Sequence, residues 1–195
     1  GEGMNEAMER LLALRHKAEE RLRKHKFDAP MRITVGSATC ENAAGANEVY
    51  KKLQDELATH PDTGTVLSRV GCTGRCDLEP VVTVFGRGVP PVKYMAVDPE
   101  KAAALFESHV LGGVPLASAM MPHEDGAPAP AGAAEGFAEQ QLWQADRLAD
   151  RFSPVFRDVA FFDKQMRITL RNCGVIDPES LDEYLLVGGY QAAVK

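Results

Sequence analysis

The chain has 195 residues, of which 45% are apolar and 26% charged, a balance typical of globular proteins rather than of disordered or membrane-spanning ones. Its net charge of −6 argues against nucleic acid as the main partner, because phosphate binding depends on clustered Lys and Arg. No stretch is apolar for long enough to cross a bilayer, and the charged N-terminus lacks the apolar run of a signal peptide, so we expect a cytoplasmic location.

An amphipathic helix is predicted over residues 4 to 25, inside an N-terminal unit of residues 1 to 29. Its apolar side carries Met4, Met8, Leu11, Leu12 and Leu22. Basic residues alternate with glutamates elsewhere on the helix, which is typical of a solvated face. Pro30 separates the helix from the first predicted strand, because proline disfavours helix in the residue before it.

A compact domain is predicted over residues 30 to 113, with the element order β-α-β-β-β-α. Val49, Leu53 and Leu57 recur at helical spacing, and Asp98-Pro99-Glu100 is a strong start for the second helix. A parallel crossover followed by a meander and a last helix gives a two-layer α/β (α+β) fold. The apolar, β-branched runs that predict the four strands are residues 31–35, 65–70, 80–85 and 92–97.

The remaining chain is predicted to be a linker followed by a helical C-terminal extension. Residues 114 to 136 are rich in Pro, Ala and Gly, which favours an extended linker. Residues 137 to 195 form the extension, with a helix to Arg151 and a capped helix from Asp177 to Val187. Between these helices lies an aromatic passage that requires burial, formed by Phe152, Phe156, Phe161 and Phe162.

Three of the four cysteines fall inside the predicted domain. Cys40 follows the first strand, and Cys72 and Cys76 flank the turn Thr73-Gly74-Arg75 before the third strand. The loops that carry them can meet at one end of the sheet, so three sulfurs can converge there. Thiolates in tight loops hold iron–sulfur clusters and zinc, and both kinds of site usually take four ligands.

Two other interpretations of these cysteines stay open at this point. Cysteine often behaves as a small hydrophobic residue, so Cys40, Cys72 and Cys76 can be ordinary thiols. A disulfide between Cys72 and Cys76 is the third option, disfavoured in a reducing compartment. The nearby acidic residues Asp77 and Glu79 are interpreted as surface or turn residues without a catalytic role.

A resemblance to a known family is carried by three segments: ITVGSATCENAAGANEV, SRVGCTGRCDLEPVVTVF and PVKYMAVDPEKAAALFESHVLGG. Together, over roughly residues 31 to 113, they resemble a thioredoxin-like [2Fe–2S] ferredoxin domain. The resemblance implies that Cys40, Cys72 and Cys76 are three of the four ligands of a [2Fe–2S] cluster. The family's first ligand position falls at about Gly36 or Ser37, where no cysteine stands, and Ser37 is the candidate oxygen donor.

A second resemblance is carried by the C-terminal segment FFDKQMRITLRNCGVIDPESLDEYLLVGGYQAAVK. It is similar to the segment that leads into the flavin-bearing, NADH-oxidising subunit of complex I and its relatives in NAD-linked hydrogenases and formate dehydrogenases. Cys173 stands in the R-N-C-G motif of that segment and is assigned to it, not to the metal site. In that family a glycine-rich loop for the flavin and the nicotinamide comes next, so we expect FMN and NADH only in a domain or partner beyond Lys195, and no NADH oxidation by this chain alone.

Two functions are expected from these patterns. The first is an electron-transfer module of an NAD(P)H-linked flavin and iron–sulfur oxidoreductase complex, whose [2Fe–2S] cluster passes single electrons beside a flavin. Its expected partners are a flavoprotein domain or subunit and other iron–sulfur subunits. The alternative is a cluster-free structural module that docks the flavoprotein subunit to its partners. A thioredoxin-type dithiol enzyme is disfavoured, because Cys40 has no C-x2-C neighbour.

Overall fold

A four-stranded mixed sheet forms the centre of the protein in a computed structural model that describes residues 2–86, 91–121, 166 and 168–194. The strand order is β2-β1-β3-β4. β1 runs parallel to β2 and antiparallel to β3, and β4 is antiparallel to β3. The predicted α/β class is confirmed. The strands are β1 Met31–Gly36, β2 Val66–Val70, β3 Val82–Gly86 and β4 Val92–Tyr94.

Five α-helices lie in the described residues: α1 Glu2–Leu22, α2 Thr39–Ala43, α3 Ala46–Thr59, α4 Pro99–Leu105 and α5 Leu181–Leu186. α1 continues as a π-helical turn over Arg23–Phe27, and α4 continues in the same way over Phe106–Leu111. The predicted cap of α4 is confirmed, because the Asp98 carboxylate accepts a 2.7 Å hydrogen bond from the Lys101 amide. None of the described helices is long and apolar enough to cross a membrane.

The position of β3 in the sheet differs from the predicted meander. β3 pairs with β1 and not with β2, so that Val82 lies opposite Val35 and Val84 opposite Ile33. The parallel β1–β2 crossover and the β3–β4 pair form as predicted. An apolar alternation shows which side chains share a face of a strand, but it carries no information about which strand lies beside it.

The main core lies between one face of the sheet and helices α3 and α4. Ile33 of β1 and Val84 of β3 are fully buried there, with Leu53 of α3 and Phe106 after α4.

A polar pair also lies in the main core, where the Tyr94 hydroxyl is 2.7 Å from His109 Nδ1. The same hydroxyl accepts a 3.2 Å hydrogen bond from the Leu116 amide.

A second core lies on the other face of the sheet, between α1 and the C-terminal segment. Arg32 and Phe85 are cross-strand partners that alternate with Ile33 and Val84, so they point to this second face. The Arg32 guanidinium lies 5.3 Å from the Phe27 ring centre and 4.3 Å from that of Phe85. The apolar residues of the second core are Leu11, Ala18, Leu22, Phe27, Val175, Ile176, Leu185 and Leu186.

Two ion pairs join the N-terminal helix to the C-terminal segment. Lys26 and Glu183 form a buried pair, and Glu183 also accepts a 2.8 Å hydrogen bond from the Asp177 amide. Arg21 and Asp182 form an exposed, bidentate pair with distances of 2.8 and 2.6 Å. The two-layer unit predicted for residues 30–113 therefore gains a third layer from residues outside those bounds.

The C-terminal helix begins later than the sequence predicts. α5 starts at Leu181, where the Ser180 hydroxyl accepts a hydrogen bond from the Glu183 amide. Asp177 bonds instead to the amide of Glu179, two residues on, which closes a turn before the helix. The predicted helix to Arg151, the aromatic passage of residues 152–162 and the predicted linker beyond residue 121 lie outside the described residues.

Candidate metal centre

Three cysteines and one glutamate converge at one edge of the sheet, where β1 and β2 end and the antiparallel β3 begins. Cys40 lies in α2, Cys72 follows β2, and Cys76 opens the 3-10 turn Cys76–Leu78. Glu79 follows that turn and precedes Pro80 through a cis peptide bond. The three sulfurs and one Glu79 oxygen all lie within 4.8 Å of one another.

Individual distances show how closely the four side chains approach. Cys40 Sγ lies 3.9 Å from the Sγ atoms of both Cys72 and Cys76. Glu79 Oε1 accepts from the thiols of Cys40 and Cys72, each at 3.2 Å. None of the four cysteines forms a disulfide, so Cys72 and Cys76 are not bridged in this structure.

The loop between Cys72 and Cys76 is shaped by Gly74. Its φ of 90° lies in the left-handed region that favours glycine. This conformation lets the Gly74 amide donate a 3.1 Å hydrogen bond to Cys72 Sγ. Arg75 closes the outer side of the loop through a bidentate pair with Asp77, at 3.0 and 2.9 Å. Asp77 is exposed, as expected of a turn residue.

The predicted loop around Cys40 contains the short helix α2, which places Glu41 in the interior. Glu41 is 1% exposed, and its carboxylate accepts a 3.1 Å hydrogen bond from the Ala38 amide. The same carboxylate lies against Gly36, where an added Cβ would be 1.6 Å from Glu41 Oε1. Glycine at position 36 therefore makes room for a buried acid beside the thiols.

The electrostatic environment of the site disfavours negative charge. Burial raises the pKa of the Cys72 thiol, which the Gly74 amide opposes and the Glu79 carboxylate reinforces. The hydrogen bond with Cys40, followed by the charge of Glu79, raises the pKa of Cys76. Burial likewise raises the pKa of Glu41 to about 7, against the effect of the Ala38 amide. Such a donor set takes its anionic form when a cation lies among the donors, because a metal deprotonates the thiols that bind it.

The structure brings together the three predicted cysteines and adds a residue that the sequence reasoning missed. Glu79 is predicted to be a surface or turn residue, but one of its carboxylate oxygens lies among the sulfurs. The sequence signal for it is its position, three residues after Cys76 and directly after the turn that Cys76 opens. Ser37, the predicted oxygen donor, has its hydroxyl 2.7 Å from an Arg69 guanidinium nitrogen and 3.4 Å from Asn42 Oδ1.

Cys173 lies outside this group of four, but its backbone adjoins the loop that carries Cys72. A Cβ added to Gly71 would be 3.7 Å from the Cys173 Cα and 3.8 Å from the Gly174 amide nitrogen. The C-terminal segment thus packs against the residue that precedes Cys72.

Comparisons with known proteins identify relatives of this chain. The NADP-reducing hydrogenase subunit HndB of Solidesulfovibrio fructosivorans is 34% identical over 84 residues, which are 43% of this chain and 67% of HndB. A 2Fe-2S ferredoxin of Aquifex aeolicus is 34% identical over 74 residues, which are 37% of this chain and 64% of the ferredoxin. The chain belongs to the thioredoxin-like [2Fe–2S] ferredoxin family.

Two further matches are weaker, one because it covers a shorter segment and one because its sequence identity is lower. The hydrogenase subunit HndC of S. fructosivorans is 56% identical over 32 residues, which are 16% of this chain and 6% of HndC. The crystal structure of the wild-type thioredoxin-like [2Fe-2S] ferredoxin from A. aeolicus matches with 25% identity and a TM-score of 0.41, covering 47% of this chain and 95% of the ferredoxin. The chain matches no family model.

The donor set fits a [2Fe–2S] cluster in number and chemistry. Three thiols and one carboxylate make four donors, the number that such a cluster takes. Their spacing is compact: metal–sulfur bonds of about 2.3 Å place tetrahedral ligands of a single ion about 3.8 Å apart, close to the 3.9 Å between sulfurs here.

Proposed function

We propose that this chain is an electron-transfer module of an NAD(P)H-linked flavin and iron–sulfur oxidoreductase complex, with a [2Fe–2S] cluster held by Cys40, Cys72 and Cys76. The observation that carries the proposal is the convergence of these thiols at one edge of the sheet. Membership of a [2Fe–2S] ferredoxin family supports it. When bound, such a cluster supplies a site that accepts and releases one electron at a time.

The residues of the chain have distinct roles in this proposal. The three cysteines bind as thiolates, and the Gly74 amide donates to Cys72 Sγ, which stabilises negative charge on that sulfur. Cys40 and Cys72 are half-buried, whereas Cys76 is exposed. The exposed edge at Cys76 is therefore the side from which a redox partner can approach most closely.

The complex is the second part of the proposal. HndB and HndC are both named as subunits of an NADP-reducing hydrogenase, which supports a role beside partners that exchange electrons with a nicotinamide. We assign FMN and NADH to a flavoprotein domain or subunit. The division into residues 1–29, 30–113, 114–136 and 137–195 belongs to this proposal, with the last segment leading into the flavoprotein.

Iron and acid-labile sulfide analysis of protein purified without oxygen tests the function. We expect about two irons and two sulfides per chain, with loss of both in Cys72→Ser. Cys173→Ser is the matched control, since Cys173 lies outside the group of donors, and it should keep its iron. Folded wild-type protein that contains neither iron nor sulfide, before and after reconstitution with both, would contradict the proposal.

A structural module is the second candidate, and the compact spacing of the donors favours it. Sulfurs 3.9 Å apart suit a single tetrahedral ion such as zinc, which stabilises a fold without carrying electrons. The module would then dock the flavoprotein subunit to its partners, without a cluster. About one zinc per chain with no sulfide is the result that selects this candidate over the first.

A further inference from the structure

We propose that Glu79 is the fourth ligand of the metal centre, so that the cluster is held by three thiolates and one carboxylate. The inference rests on the proposed function and assigns a donor that the sequence pattern does not identify. Its first support is distance: Glu79 Oε1 lies 3.2 Å from the sulfurs of both Cys40 and Cys72. One oxygen of its carboxylate also lies within 4.8 Å of Cys76 Sγ.

Backbone hydrogen bonds on both sides of Glu79 fix the position of its backbone beside the site. The Leu78 carbonyl accepts a 2.8 Å hydrogen bond from the Ala96 amide, and the Pro80 carbonyl accepts a 3.1 Å bond from the Val97 amide. Both bonds tie the Cys76–Pro80 segment to the chain that follows β4. Glu79 therefore follows the turn that Cys76 opens on a backbone that is hydrogen-bonded in place, whereas a ligand on a mobile loop would have to be ordered by the metal.

Other nearby residues are less suited to supply the fourth donor. Gly36 has no side chain, and the space beside it holds the Glu41 carboxylate. That carboxylate accepts a hydrogen bond from the Ala38 amide.

Ser37 and Cys173 are the other two candidates. The Ser37 hydroxyl is hydrogen-bonded to Arg69 and Asn42. Cys173 does not belong to the group of donors that lie within 4.8 Å of one another.

The chemistry of a carboxylate is compatible with this role. Carboxylate oxygens bind metals in sites that otherwise use cysteine or histidine. On binding, each of the three thiols loses its proton to solvent, and Glu79 binds as its carboxylate anion. Four donors of charge −1 then surround the cluster, the same total as four thiolates supply. A hard oxygen in place of a soft sulfur changes the ligand field, so the absorption and magnetic spectra of the cluster report on it directly.

Glu79→Ala, Glu79→Cys and the control Asp77→Ala test the inference in anaerobically purified protein. Asp77 lies two residues away, is exposed and pairs with Arg75 on the outer side of the loop, so its removal changes the charge of the loop and that surface pair but no donor. We expect Glu79→Ala to lower the affinity for the cluster at least about tenfold, measured as iron and sulfide retained against a chelator. Glu79→Cys should retain the cluster, with absorption and electron paramagnetic resonance spectra shifted from those of wild type. Asp77→Ala should match wild type in both measurements.

The outcomes separate this inference from the proposed function. Wild type without iron and sulfide overturns the proposed function, and the inference with it. Wild type with a cluster, and Glu79→Ala with the same iron retention and the same spectra, overturns only the role of Glu79. If Glu79→Ala does not fold, Glu79→Cys decides: a cluster with spectra identical to wild type contradicts oxygen ligation, and shifted spectra support it.

Discussion

The two faces of the central sheet are packed by different chemistry. On one face, α3 and α4 cover Ile33 and Val84 with apolar side chains. The other face also has an apolar cluster, but it contains charged groups: the Arg32 guanidinium lies over two phenylalanine rings, and the buried Lys26–Glu183 pair joins residues 157 positions apart. On the apolar face, a substitution lowers the stability of the protein in proportion to the apolar area that it exposes to water. At the buried ion pair, the protein loses much more stability when one partner is removed than when both are replaced by apolar residues.

Truncation in the apolar core should have the largest effect on stability. Phe106 is fully buried, so Phe106→Ala should lower the free energy of unfolding by about 4 kcal/mol. Chemical denaturation followed by circular dichroism measures this loss. Leu111→Ala, at an exposed position on the same helical extension, is the control and should change stability little. Equal losses for the two variants would contradict the assignment of the core.

Removal of one partner from the buried ion pair should have the next largest effect. Glu183→Ala leaves the Lys26 charge buried without its carboxylate, and we expect a loss of about 3 kcal/mol. The double variant Lys26→Met/Glu183→Met should be more stable than Glu183→Ala, because it leaves no unpaired charge. If the losses of the single variants Lys26→Met and Glu183→Met simply added up to the loss of the double variant, the pair would not act as a unit.

The His109–Tyr94 pair makes a smaller, pH-dependent contribution to the apolar face. Burial lowers the pKa of His109 in the folded state, whereas an unfolded histidine has a pKa of about 6.5. The unfolded chain therefore binds more protons below that pH, and the free energy of unfolding should fall as the pH drops below about 6.5. His109→Gln should make the free energy of unfolding depend less on pH in this range. His16→Gln, on the exposed side of α1, should leave that pH dependence as in wild type.

The smallest effect is expected at the exposed pair between the same two segments as Lys26 and Glu183. Arg21→Ala removes a bidentate contact with Asp182, but solvent screens both charges. Its unfolding midpoint should stay close to that of wild type, and the difference should shrink further in high salt. If Arg21→Ala lowered the free energy of unfolding as much as Glu183→Ala does, burial would not explain the difference expected between the two ion pairs.

The apolar face could be predicted from the sequence. On the other face, the apolar side of α1 was predictable at Leu11 and Leu22, but the buried ion pair was not. The helical spacing of Val49 and Leu53 and the cap at Asp98 are local signals, and both α3 and α4 form as predicted. The contact between Lys26 and Glu183 has no local signal, because the two residues are distant in sequence and polar residues are normally expected at the surface.

The candidate site was predictable in its cysteines but not in its oxygen donor. The loops of Cys40, Cys72 and Cys76 meet because the strands that precede them run parallel and end at the same edge of the sheet. Ser37 and Glu79 are both next to such loops in the sequence. Only side-chain direction separates them, with the Ser37 hydroxyl bonded to Arg69 and a Glu79 oxygen among the sulfurs. Sequence spacing does not determine that direction.

The contact between Gly36 and Glu41 has a consequence for how this chain can evolve. Any side chain at position 36 requires the Glu41 carboxylate to leave its buried place and its bond to Ala38. A mutation at position 36 is therefore costly while Glu41 is present, and it becomes tolerable after Glu41 has been replaced by a smaller residue. Substitution at position 41 is thus the permissive step, and a lineage that acquires a thiol at position 36 should pass through an intermediate that has already lost the buried acid.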